Sequence, residues 1–254
     1  MTTADNPSEH TPNRALIIGC GYLGTVAARI LTAAGREVWA TTRSRDRWNK
    51  LEGVVANLIQ YDIAATETRD VLPTPSDGDA WDVFVMLTPS AITPTLYTAG
   101  GFNRLVDAIG ALNPRRAVLV SSTGVYGEQA GMNVTAETPP EPSGERGQRL
   151  LEIENLWLTA GPDHRVCRLA GLYGPGRVIG RRSIVDGDPL PGDPDAWLNL
   201  IHVDDAAELV VRCAALDRAR SIELGSDGEP VKRAEYYARV ATLLGRRCPR
   251  FAGT

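Results

Sequence analysis

The chain has 254 residues, room for one large domain or one domain with a small appendage. Its apolar content of 43% and charged content of 23% are those of a soluble globule. The net charge of −4 offers no basic face to nucleic acid or to an anionic membrane, and no apolar run approaches bilayer length.

The first thirteen residues are polar and lack the apolar core of a signal peptide, so they read as a disordered tail. The chain then runs Arg14-Ala-Leu-Ile-Ile-Gly-Cys-Gly-Tyr-Leu-Gly-Thr25. A strand over 15–18 meets Gly19-x-Gly21-x-x-Gly24, and an Ala/Leu-rich helix over 25–34 follows, closed by Gly35. That order is the phosphate-binding turn of a dinucleotide fold. Gly19 permits the tight turn, Gly21 lets the backbone approach a pyrophosphate, and Gly24 lets helix and strand pack closely. Tyr22 and Leu23 complete the turn, and backbone amides of residues 19–26 are expected to grip the diphosphate at the positive end of the helix. The plain alternative is a glycine-rich turn with no ligand.

A second strand over 37–41 runs into Thr42-Arg43-Ser44-Arg45, with no acid before Asp46. In dinucleotide folds this strand end faces the adenosine ribose: an acid there favours NAD, and an arginine accommodates the 2′-phosphate of NADP. Arg43 can pair with a phosphate bidentately, and Thr42 and Ser44 can donate to it, so NADP is expected, with NAD as the alternative. The bland reading leaves Arg43 and Arg45 in solvent. A short helix over 46–51 and a third strand over 54–60 follow. Asp62, just beyond, is placed either to accept from the adenine amino group or to open a loop.

Apolar runs over 82–87, 116–121 and 165–168 read as buried strands, and the stretches 102–111 and 146–158 as helices. Segments 73–79 and 135–142 read as surface loops. After Ala170 the segment 171–194 is dense in Gly and Pro; a helix over 204–216, a strand over 221–224 and a helix over 232–244 close the chain. Alternating strands and helices predict an α/β fold, a Rossmann-type doubly wound parallel sheet over 14–170. Residues 171–254 are expected to form a small substrate-side cap interleaved with it. The four cysteines are scattered with no C-x-x-C pair, which argues against a zinc site and a disulfide framework and for a reducing cytoplasm; no metal is expected. Cys20, within the turn, reads as a small filler.

Three later motifs stand in order behind the glycine turn: Val120-Ser-Ser-Thr-Gly-Val-Tyr-Gly127, Arg168-Leu-Ala-Gly-Leu-Tyr-Gly-Pro-Gly-Arg177 and Asn199-Leu-Ile-His-Val-Asp-Asp-Ala-Ala207. With that turn, over residues 14 to 245, the chain resembles the extended short-chain dehydrogenase/reductase superfamily, the NAD-dependent epimerase/dehydratase group acting largely on nucleotide sugars. The resemblance implies that Ser122 hydrogen-bonds the substrate oxygen that gains or loses a proton. It puts Thr88 beside the nicotinamide, Tyr173 and Gly174 in the loop near nicotinamide and substrate, and His202 and Asp204 at a structural junction.

The family's central device is a Tyr followed four residues later by a Lys on one helix face. With Glu154 aligned to the family's downstream Glu, Arg146 stands where the Tyr belongs and Leu150 where the Lys belongs; a shift of one residue gives Glu145 and Arg149. The helix contains neither Tyr nor Lys, and Leu150, Ile153 and Trp157 form its apolar stripe. Arg146 cannot act as an acid, since a guanidinium keeps its proton in proteins, but it can polarise a carbonyl or hold an anion. Glu145 serves as a base only if burial raises its pKa. Tyr126 is the nearest other phenol, as a catalytic candidate or a packing group. This departure resembles atypical members of the superfamily.

Two functions follow: an NAD(P)-dependent oxidoreductase or epimerase-like enzyme with a rearranged catalytic set, or a non-catalytic NADP(H)-binding or redox-sensing module. Either takes a small-molecule ligand, and the 146–158 helix offers a candidate homodimer face.

Overall fold

The structure, a computed structural model, describes residues 13–63, 72–73, 80–87, 99–129, 131–216 and 220–252. The expected N-terminal tail up to residue 12, most of the 73–79 loop and Thr88 lie outside the described residues. The chain opens with β1 (Arg14–Ile18), α1 (Tyr22–Ala33), β2 (Glu37–Thr42), α2 (Trp48–Leu51) and β3 (Asn57–Gln60). It continues with β4 (Trp81–Val85), α3 (Ala99–Gly110), β5 (Arg116–Ser122), α4 (Glu145–Thr159) and β6 (His164–Leu169). The remainder holds β7 (Gly171–Tyr173), α5 (Arg181–Asp186), β8 (Leu190–Pro191), β9 (Trp197–Leu198), β10 (Leu200–His202), α6 (Val203–Ala215), β11 (Ile222–Gly225), β12 (Val231–Lys232), α7 (Arg233–Leu243) and β13 (Phe251–Ala252).

Seven strands form one parallel sheet in the order β3-β2-β1-β4-β5-β6-β11. The order reverses between β1 and β4, where a Rossmann-type sheet opens its ligand crevice. Alternate β1 residues feed two cores. Ile17 meets Ala27, Ala28 and Leu31 of α1 and Ala206, Ala207 and Val210 of α6; these alanines let the two helices lie close together. Leu16 and Ile18 meet Phe102, Leu105 and Ile109 of α3 and Ile153 and Trp157 of α4. Both faces are covered, so β4 is buried along its whole length. Each such Leu or Ile contributes roughly 1.5–3 kcal/mol.

Several boundaries depart from the sequence reading, two of them for reasons visible in the hydrogen bonds. The first helix begins at Tyr22 rather than residue 25, because its first turn contains two of the motif's variable residues and Gly24. The third strand begins at Asn57 rather than 54, because the Val54 and Val55 N–H groups both donate to the Leu51 carbonyl and close α2. The C-terminal stretch divides. α6 and β11 complete the central layers, while α5, β8, α7 and β13 gather around Ile184, Leu190, Tyr237, Val240 and Ala241.

Buried charged side chains sit toward both ends of the sheet. Asp82, fully buried on β4, accepts from Arg36 (2.9 Å) and Arg115 (3.0 and 3.2 Å). Arg115 also donates to the Ala214 carbonyl, fastening the end of α6 to the sheet. Toward the other end of the sheet, Arg168 of β6 makes three bonds to the Glu154 carboxylate of α4 (2.7, 3.0 and 3.2 Å).

Candidate functional site

A cleft of about 490 Å³ runs across the carboxyl ends of the strands. It reaches from β3 past β2, β1, β4 and β5 to β6, five strand intervals or about 24 Å at the usual spacing.

The glycine turn forms its centre. Gly19 has φ +86°, and an added Cβ would lie 2.7 Å from Leu87 Cδ2, so only glycine enters this conformation without strain. At Gly24 an added Cβ would stand 3.3 Å from both the Gly19 carbonyl and Ile17 Cγ2, which is the close helix–strand approach the motif predicts. The set of amides expected to meet a diphosphate is narrower than residues 19–26. Gly19 N donates to Thr41 Oγ1 (3.0 Å), Cys20 N to the Thr41 carbonyl (2.8 Å) and Gly21 N to the Gly19 carbonyl (2.7 Å). The first intrahelical bond is Thr25 N to the Gly21 carbonyl. The amides left for an anion are those of Tyr22, Leu23 and Gly24 in the first turn of α1. No side chain caps this helix start, and the donor set fits a diphosphate.

At the β2 end, Arg43 is exposed and lines the cleft. Ser44 also lines it; its Oγ accepts from Asp46 N (3.2 Å), which leaves its O–H free to donate elsewhere. Thr42 corrects the sequence reading: its hydroxyl donates to the Ser44 carbonyl (2.8 Å) and is not available as a phosphate donor. Arg45 is engaged by Gln60 (2.9 Å) and stacks on Trp48. Asp62 lines the same end, beside Tyr61 and Ile63.

At the β5 end, Ser122 and Arg146 line one wall together with Leu150. Ser122 Oγ accepts from Gly124 N (3.2 Å), so its hydroxyl hydrogen remains free to point into the cleft. Gly147 is what lets α4 come this close: a Cβ there would lie 2.9 Å from the Gly124 carbonyl. Of the two registers considered, the one reaching the cleft is Arg146 with Leu150. Glu145 instead pairs with Arg149 on the exposed side of the helix.

Two sequence candidates lie elsewhere. Tyr126 is buried with Val125 and Leu150, and its hydroxyl accepts from Arg168 (2.9 Å), which also covers its ring; it holds the Arg168–Glu154 pair and does not line the cleft. Tyr173 stacks edge-on against His202 at 5.3 Å, outside the cleft lining. His202 Nδ1 in turn accepts from Asp204 N and caps α6.

Arg177 lines the cleft but was not singled out in the sequence. Its guanidinium lies over the Tyr22 ring, and the Tyr22 hydroxyl donates to the Pro175 carbonyl (3.1 Å). Burial, helped by Asp204 and opposed by Arg177, raises the Tyr22 phenol pKa and keeps it a donor. The only sequence signal for Arg177 was its position after Tyr-Gly-Pro-Gly.

The fold and this cleft agree with comparisons to known proteins. Protein YeeZ of Escherichia coli K12 is 29% identical over 243 residues, covering 94% of this chain and 86% of its own. The 2'-dehydrokanamycin reductase of Streptomyces kanamyceticus is 26% identical, covering 94% of this chain and 69% of its own. UDP-glucose 4-epimerase of Thermus thermophilus, solved in complex with NAD, superposes with a TM-score of 0.72 at 21% identity, over 94% of this chain and 85% of that one, and so shares the fold. Residues 15–225 match the NAD dependent epimerase/dehydratase family. Across that span of strand, glycine turn and cleft, the chain belongs to the NAD dependent epimerase/dehydratase family, a family that uses a nicotinamide cofactor.

Proposed function

We propose that the protein is an NADP-dependent reductase or epimerase of a small carbonyl or nucleotide-sugar substrate. In this reading Ser122 and Arg146 do the work that a Tyr and a Lys do in typical members. The carrying observation is that Ser122 and Arg146 share one wall of the cleft whose far end presents Arg43. When bound, the nicotinamide supplies or accepts a hydride. Tyr22, Leu23 and Gly24 hold the diphosphate through their amides, and Arg43 with Ser44 receives the 2′-phosphate. Ser122 donates a hydrogen bond to the substrate oxygen, which takes its proton from solvent once hydride has arrived. Arg146 places a fixed positive charge beside that oxygen and stabilises the negative charge that develops there. Leu150 lends no hydrogen bond and dries the wall. The 2'-dehydrokanamycin reductase supports the reductase branch, and the nucleotide-sugar epimerases sharing the fold support the other.

The test is turnover of NADPH with a panel of carbonyl compounds and nucleotide sugars. Ser122→Ala is expected to lower kcat by about 10²-fold with cofactor affinity unchanged. No turnover on any substrate, with cofactor bound, counts against the enzyme. A second reading, a non-catalytic NADP(H)-binding or redox-sensing module, is favoured by Leu150, an apolar side chain at the cleft position where typical members have a Lys. It requires that Ser122→Ala change no rate in any assay.

A further inference from the structure

We infer that Arg177 is a second anchor for the cofactor's diphosphate, reaching it from beside the α1 amides; the inference rests on the cofactor-binding reading above. The turn carrying Arg177 is built rather than loose. Gly174 N donates to the Arg177 carbonyl (3.0 Å) and Arg177 N to the Gly174 carbonyl (2.9 Å). The turn is fastened to the first residue of α1 by the Tyr22 hydroxyl bond to Pro175. Its approach needs a glycine: Gly174 has φ +142°, and a Cβ there would lie 2.9 Å from both the Tyr22 hydroxyl and His202 Nε2.

The side chain is held as well. Arg177 Nε donates to the Leu172 carbonyl (3.0 Å), and the guanidinium carbon sits 5.7 Å from the Tyr22 ring centroid. An arginine destined only for solvent has no need of a main-chain tether and an aromatic shelf. With Nε occupied, the two terminal nitrogens keep their N–H groups, and neither donates to a described residue. Tyr22 is also the first of the three residues whose amides remain open at the start of α1. The geometry thus sets a planar pair of charged donors near a row of backbone donors on the same cleft. A diphosphate, with oxygens on two sides, answers to both. Arg146 stands apart, on α4 beside Ser122, and belongs to the substrate end.

The test uses the full chain and three probes followed by calorimetry or NMR titration: NADP⁺, ADP and adenosine 2′-phosphate. Arg177→Gln is expected to weaken NADP⁺ and ADP by about tenfold, the scale of one charge-assisted bond, and to leave adenosine 2′-phosphate within about twofold. Arg43→Gln gives the reciprocal pattern, weakening adenosine 2′-phosphate and sparing ADP. Should Arg177→Gln fail to fold, Arg177→Lys, which keeps the charge without the paired planar donors, is read by the same contrast. Unchanged ADP binding, or equal loss on all three probes, overturns the role of Arg177. Wild-type protein that binds neither NADP⁺ nor ADP overturns the cofactor reading instead.

Discussion

Glu154→Ala tests the buried pair that joins α4 to β6. Glu154 and Arg168 have side chains 1% and 2% exposed, and three short N–H···O contacts join them. Burial alone disfavours the Arg168 charge; the bonds to Glu154 and Tyr126 outweigh it and raise the guanidinium pKa. Removal of the carboxylate leaves a positive charge inside the protein with only the Tyr126 phenol for company. Loss of one partner from such a pair costs about 3–5 kcal/mol. For a chain of this size each kcal/mol lowers Tm by roughly 2–4 °C, so a fall of roughly 6–20 °C is expected. Glu154→Gln, which keeps volume and one acceptor, is expected to fall between. The paired replacement Glu154→Leu with Arg168→Met is expected to recover most of the loss, because two apolar groups need no counter-charge. Urea unfolding followed by circular dichroism, with a thermal scan beside it, reads all three. A Glu154→Ala protein melting within about 2 °C of wild type would falsify the view that this pair carries an uncompensated charge when broken.

Three other expectations concern the cleft and the far end of the sheet. Arg43→Ala is expected to weaken NADP⁺ about tenfold in a calorimetric titration and to leave NAD⁺ unchanged; equal loss for both cofactors removes the 2′-phosphate role. Gly19→Ala forces an L-residue to φ +86° and is expected to cost about 1–2 kcal/mol, read as a lower urea midpoint together with weaker cofactor binding. His164 sits against Trp157 at 4.6 Å, and burial lowers its pKa below 6.5 despite Asp163. The folded chain therefore refuses a proton that the unfolded chain accepts. Stability is fully present above about pH 6.5 and declines as pH falls through that value. His164→Phe is expected to flatten this slope between pH 7.5 and 5; an unchanged slope sinks the assignment.

Local patterns in the sequence located most of the fold. The glycine turn, the buried strands and the Leu150–Ile153–Trp157 stripe are each written within a short window, and α4 turns that stripe inward. What escaped depends on residues far apart. Asp82 meets Arg36 and Arg115 across 46 and 33 positions, and a lone carboxylate in an apolar run carries no mark of such partners. Glu154 served as a landmark for register, yet it answers to Arg168 on the next strand. Thr42 was read as a donor toward the ligand because it stands beside Arg43 at the end of the second strand, but a carbonyl two residues on takes its hydrogen. The two- and three-residue strands between Gly171 and Leu198 are too short for any period to register. Arg177 escaped for a related reason, since its significance comes from Tyr22, far back in the chain.

Thr41 gives the glycine turn a property that the motif alone does not confer. By taking the hydrogens of two successive amides, one on its hydroxyl and one on its carbonyl, it splints the loop to the neighbouring strand before any ligand arrives. A nucleotide entering here meets a finished mould, and little of its affinity goes into freezing floppy chain. The stiffness of the glycine turn is therefore governed from outside the Gly-x-Gly-x-x-Gly signature, by a threonine on a different strand.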